Sequence, residues 1–135
     1  MSRDWPVYWF EDIDSTNEEA RRRAAGVASV QGQWIAAKRQ SAGRGRLHRT
    51  WTTIDGNLFA TALFSWENPF ADAVRIPFAA GLAVVDACRR FAPRADLHLK
   101  WPNDVRAAGA KVAGILVETG GATTPWVAVG IGVNV

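Results

Sequence analysis

The spacing of apolar positions along the chain predicts six strands and two helices. Val7-Tyr8-Trp9-Phe10 is a short β-prone run. Asp14-Ser15-Thr16-Asn17-Glu18-Glu19 then opens a helix, with Ser15 and Glu18 at capping-box spacing and Thr16 with Glu19 as the alternative register. That helix runs through Arg21 to Ala25 and stops at Gly26. Trp34 to Ala37 reads as a strand, Gln40 to Trp51 as a polar loop, and Asn57 to Phe64 as an apolar strand. From Arg75 to Phe91, Ile76, Ala79, Ala80, Ala83, Val84, Ala87, Cys88 and Phe91 recur at helical spacing. Leu97 to Trp101 alternates and is stopped by Pro102. Lys111 to Thr119 and Pro125 to Val135 are two more strands, separated by Gly120-Gly121-Ala122. The order predicts an α+β layer: a mixed, mainly antiparallel sheet with the helices on one face.

Composition narrows this further. A chain of 135 residues with 48% hydrophobic and 21% charged positions holds one core of ordinary size. No run approaches the roughly 20 apolar residues of a membrane helix. The first ten residues, with Arg3, Asp4 and Pro6, lack an apolar signal core, so a cytoplasmic location without membrane partners is expected. Cys88 is the single cysteine and sits in an apolar helical stretch, where a small buried thiol is expected. Net charge is +3, carried by 13 Arg and 3 Lys. That balance fits genomic base bias and phosphate recognition equally, and is too small to argue for nucleic acid.

Four segments carry candidate chemistry. Gln40-Ser41-Ala42-Gly43-Arg44-Gly45-Arg46-Leu47-His48-Arg49-Thr50-Trp51 combines glycines that admit close backbone approach, guanidinium donors for phosphate or carboxylate, and an indole that stacks on a ring. It lacks the ending of a P-loop. With few apolar anchors it is expected to be mobile without ligand. Lys100-Trp101-Pro102-Asn103-Asp104 sets polar groups at a strand end, where Asp104 offers a carboxylate to Mg²⁺. Lys111 precedes Gly114 in a strand where glycine costs stability. Gly130-Ile131-Gly132-Val133-Asn134 leaves one strand face bare, either a gap filled by a neighbour or a floor under a bound ring. A solvated or RNA-contacting arginine loop remains open at this point.

Taken together and in this order, the segments resemble the biotin–protein ligase family from about Asp14 to Val135. The resemblance implies the biotin/lipoate ligase fold, related to class II synthetases. It implies activation of biotin by ATP with Mg²⁺ to biotinyl-5′-AMP, then transfer to a lysine on a biotin carboxyl carrier domain. It assigns biotin contacts to Ser15, Thr16, Asn17, Gln40, Gly43, Arg44, Arg46, Lys111 and Gly114. Nucleotide contacts fall to Arg46, Arg49, Trp51, Asn103, Lys111 and Asn134, a Mg²⁺ contact to Asp104, and the catalytic electrostatics to Lys111 and Arg46. His48 stands where the family commonly has glycine. Residues 1–135 are expected to form one catalytic domain, short at its C-terminus, without a DNA-binding helix-turn-helix or a C-terminal β-barrel, and so without a DNA partner. Family members often pair through the sheet, which makes a homodimer an open expectation. The alternatives are a lipoate ligase-like acyl-adenylate enzyme and a biotin-binding module without turnover.

Overall fold

The computed structural model describes residues 4–68 and 70–135. Arg3, named above with the N-terminal segment, lies outside them. The chain runs β1 (Val7–Ile13), α1 (Thr16–Ala24), β2 (Gln33–Gln40), β3 (Leu58–Ser65), α2 (Ile76–Phe91), β4 (Leu97–Lys100), β5 (Asp104–Ala107), β6 (Ala110–Gly120) and β7 (Trp126–Val133). Short 3₁₀ segments cover Arg46–His48 and Phe70–Arg75. The seven strands form one sheet in the order β1-β2-β3-β7-β6-β5-β4. Only β1 and β2, joined through α1, are parallel; the other pairs are antiparallel. The expected mixed, mainly antiparallel sheet is therefore found.

The start of α1 follows its local code. Ser15 takes an extended conformation and its side chain accepts from the Glu18 amide, and Glu18 and Glu19 occupy the positive first turn. Beyond the other end, Gly26 has φ +70°, a left-handed geometry that favours glycine.

Three expectations are corrected. The helices cover opposite faces of the sheet, not one. On β7, Val127 and Val129 join the core that holds Val84 and Val85 of α2, whereas Trp126 and Ala128 join the core that holds Ala20 and Ala24 of α1. Neighbouring residues of a strand point to opposite faces. The central strands are apolar on both sides, and each side needs a cover.

The second correction is β5, a strand of 4 residues where the sequence pattern shows only a connection. Asn103 lies in the turn that ends β4, while Asp104 already pairs with Lys100 and with Gly114. The chain reverses again at Ala108 and Gly109, both at positive φ (49° and 78°), the geometry of a two-residue hairpin turn.

The third concerns α2, which buries a narrower stripe than its pattern suggests. Gly81, Val84 and Val85 are buried, but Ala79, Ala83 and Ala87 are exposed and Phe91 is 90% exposed. One sheet face reaches only one side of the helix. Among the described residues, no helix is long and apolar enough to cross a membrane.

Candidate functional site

A cleft opens on the α1 side of the sheet. Its walls come from segments far apart in the chain. The start of α1 brings Ser15, Thr16 and Asn17; the end of β2 brings Gln40. The glycine-arginine loop brings Arg44, Arg46 and Trp51, while β6 and β7 supply Lys111, Gly114, Gly130 and Gly132. Asn103 closes the rim. Gly43, Arg49, Asp104 and Asn134, also singled out in the sequence, do not line this cleft.

Part of the wall is a buried hydrogen-bond network. Ser15, Thr16 and Asn17 are each 4% exposed, so their polar atoms require partners. The Gln40 side-chain oxygen accepts from the Thr16 amide (2.8 Å) and faces its hydroxyl (3.1 Å). The Gln40 amide nitrogen has no protein partner among the described residues, which leaves a donor for a ligand. Asn17 differs, because its amide is already engaged. Its Nδ2 donates to Glu118 Oε2 (2.8 Å) and the Leu116 carbonyl (3.3 Å), and its Oδ1 lies 2.6 Å from the Thr61 hydroxyl. Asn17 therefore builds the wall and has no spare amide proton to offer.

The rest of the polar lining is cationic. The loop is closed by backbone bonds from Trp51 to Gly43 (2.8 Å) and from Gly45 to Arg49 (2.7 Å). Leu47 and His48 take positive φ there, 55° and 59°. A left-handed conformation at His48 is the physical reason glycine suits that position.

The four cations differ in partners. Arg44 Nη2 lies 3.2 Å from Glu18 and 3.1 Å from Glu118. Lys111 Nζ lies 3.0 Å from Asp104. Arg46 and Arg49 form no ion pair among the described residues. Asn134 donates its side-chain amide to the Lys111 carbonyl at 3.0 Å. Asn103 acts through β6, donating its side-chain amide to the Ile115 carbonyl at 2.8 Å.

The bare strand face is filled by the protein itself. A Cβ at Gly114 or Gly132 would come within 2.6 Å of the Trp51 ring. The indole thus lies against both glycines, with Lys111 Nζ at 4.9 Å from its centre, a cation–π distance. Trp51 Nε1 is buried without a hydrogen-bond partner.

Thr61 and Glu118 are members of the site that the sequence reading misses. Thr61 is fully buried on β3, and its only signal is a polar residue inside an otherwise apolar strand. Glu118 carries a weaker signal: it shares the parity of Gly114 and Leu116 on β6, so it faces the cleft side.

Comparison with known proteins agrees with this geometry. The model of the biotin/lipoate A/B protein ligase family matches residues 9–134. A biotin–[acetyl-CoA-carboxylase] ligase of Paracoccus denitrificans is 44% identical over 124 residues, covering 90% of this chain and 51% of that protein. One from Mycobacterium tuberculosis is 39% identical over 125 residues, 90% of this chain and 46% of that protein. The chain thus spans about half the length of these relatives. The biotin protein ligase of Leishmania major in complex with biotinyl-5-AMP superimposes with a TM-score of 0.83 at 28% identity, over 96% of this chain and 57% of that one. The Aquifex aeolicus biotin protein ligase in complex with biotin and ATP gives 0.77 at 34% identity, over 96% and 52%. Sequence, sheet order and cleft agree: the chain belongs to the biotin/lipoate A/B protein ligase family.

Proposed function

We propose that this chain carries the site that joins biotin to the α-phosphate of ATP, as the first half of biotin transfer to a lysine of a biotin carboxyl carrier protein. The observation that supports it most is the convergence of Arg44, Arg46 and Lys111 on one cleft that Ser15, Thr16 and Gln40 also line. A ligand with a polar ring and a carboxylate finds partners for both there.

A free carboxylate is a poor acyl donor because oxide is a poor leaving group. Attack of a biotin carboxylate oxygen on the α-phosphorus forms the mixed anhydride and releases pyrophosphate. The carrier amine then attacks the carbonyl, loses a proton, and AMP departs. Such a reaction needs positive charge at the phosphate and a dry cleft rather than a nucleophilic side chain. Arg46, with no protein counterion, is the group to meet the phosphate. Lys111 would bridge carboxylate and phosphate once Asp104 yields it. Gln40 would donate to the ureido carbonyl, and Trp51 would bound the nucleotide side.

Magnesium enters differently. The described residues hold no group of three or more carboxylate, histidine or cysteine side chains. Asp104 already faces an ammonium. Mg²⁺ commonly takes one or two carboxylates together with substrate phosphates, so Asp104 would hold it only alongside the triphosphate, and no step here runs through the ion.

Mass spectrometry of the chain with biotin, ATP and MgCl₂ tests the proposal. Biotinyl-adenylate and released pyrophosphate are the expected products. Biotin binding without either product identifies a binding module instead, and preferential capture of lipoate over biotin identifies a lipoate enzyme.

A further inference from the structure

We propose that Glu118 is a positioning residue for substrate capture, acting by anchoring Arg44 and Asn17 at one point. The inference rests on the ligand reading above and adds a residue to it. The Glu118 side chain is 20% exposed and lies at the junction of β6, α1 and the loop. Oε2 accepts from Asn17 Nδ2 at 2.8 Å and from Arg44 Nη2 at 3.1 Å, and Oε1 accepts from Arg21 Nη2 at 2.9 Å. One carboxylate thus fixes residues 101, 74 and 97 positions away in sequence.

The geometry points to positioning rather than simple charge balance. Both carboxylates that touch Arg44, Glu118 and Glu18, hold the same nitrogen, Nη2. Nε and Nη1 have no protein partner among the described residues. Two carboxylates on one nitrogen restrict where that corner of the guanidinium sits and leave Nε and Nη1 to other acceptors. Arg44 lines the cleft, so those donors are the ones a bound anion meets. The same Oε2 holds the Asn17 amide, which stands against Gly130 on the cleft floor. Without the anchor, Arg44 keeps only Glu18, in the first turn of α1, and its side chain regains the rotamers that binding must then freeze.

A double-mutant cycle separates this from a structural role. In the full-length protein, Glu118→Gln is expected to raise the Kd for biotin about tenfold, the scale of a lost charge-assisted hydrogen bond. In an Arg44→Gln background the same change is expected to cost clearly less than in the wild type, since only the Asn17 anchor is then left to lose. Equal losses in both backgrounds, no loss in either, or a Glu118→Gln protein that does not fold would each overturn the proposal. Hydrogen exchange of residues 43–51 without ligand reads the same anchor and is expected to quicken in Glu118→Gln; unchanged exchange counts against it. Should the wild-type protein not bind biotin at all, the function proposed above fails, while the exchange measurement still decides the role of Glu118.

Discussion

Replacing Gly130 by alanine tests how the cleft floor is built. A Cβ at that position would lie 2.2 Å from Asn17 Oδ1 and 2.9 Å from its Cγ. Heavy atoms in contact normally stand about 3.5 Å apart, so something must move by roughly 1 Å. The backbone of Gly130 is held between β3 and β6, opposite Thr61 and Leu116. Asn17 is 4% exposed and hemmed in by its neighbours. The side chain therefore leaves its place, and with it go the bonds to Thr61 and Glu118.

Overpacking costs about 1–3 kcal/mol and a disturbed buried polar contact about as much again. Thr61 keeps Thr16 as a partner at 2.8 Å, which limits the second cost. The expected loss is about 2–4 kcal/mol, on the order of 10 °C in Tm for a chain of this size. Thermal unfolding followed by circular dichroism measures it. The decisive comparison is the double variant. With Asn17→Ala the methyl added at position 130 enters vacated space, so Gly130→Ala with Asn17→Ala should be no less stable than Asn17→Ala alone. Additive penalties would refute the argument that Gly130 exists to admit Asn17.

Three other outcomes follow from the same geometry. Lys111→Ala should slow biotin-dependent pyrophosphate exchange on the order of a hundredfold or more, as loss of one preorganised charge does; an unchanged rate removes Lys111 from the chemistry. His48→Val should be less stable than His48→Gly by about 1 kcal/mol, because a β-branched residue tolerates φ near +59° poorly, and the reverse order in denaturant titration would show that the loop does not hold this conformation. Asp14 is held down to a pKa of about 2, chiefly by the Arg22 guanidinium and despite partial desolvation. Its folded-state value lies below its unfolded value, so its contribution is present above about pH 4 and fades as the pH falls toward 2. Asp14→Asn should therefore cost about 0.5–1 kcal/mol at neutral pH, discounted for exposure, and the gap to wild type should close over that acid window. A gap that is constant with pH would assign the loss to something other than charge.

What can be read from sequence divides by range. The first turn of α1 is legible because cap and first-turn acids lie within a few residues of one another. The pocket residues Ser15, Gln40, Arg44, Arg46, Trp51 and Lys111 are legible by resemblance, and the fold brings all six to one cleft. β5 is hidden because 4 residues with turns on both sides carry too little pattern to register as a strand. Which face each helix covers is hidden because helical spacing marks the apolar side of the helix and says nothing of the sheet. Glu118 and Thr61 are hidden for a third reason: their partners sit 44 to 101 positions away and become neighbours only once the strand order is known.

The pairing of the cations also bears on the arginine loop as an RNA-contacting surface. A patch built for a polyanion leaves its guanidinium groups in solvent, free to replace counterions. In the loop Arg46 and Arg49 are exposed and form no ion pair among the described residues, whereas Arg44 turns inward onto Glu18 and Glu118; Lys111, on β6, is covered by Asp104. Two of the cations lining the cleft are thus neutralised before any ligand arrives, and among the described residues Arg46 alone faces it uncompensated. That arrangement suits a small ligand whose charged groups sit at defined points. It also avoids leaving several like charges crowded around an empty cleft, a repulsion that would weaken the fold. A ligand carrying both a carboxylate and a phosphate can then draw Lys111 from Asp104 by offering it two anionic partners in place of one.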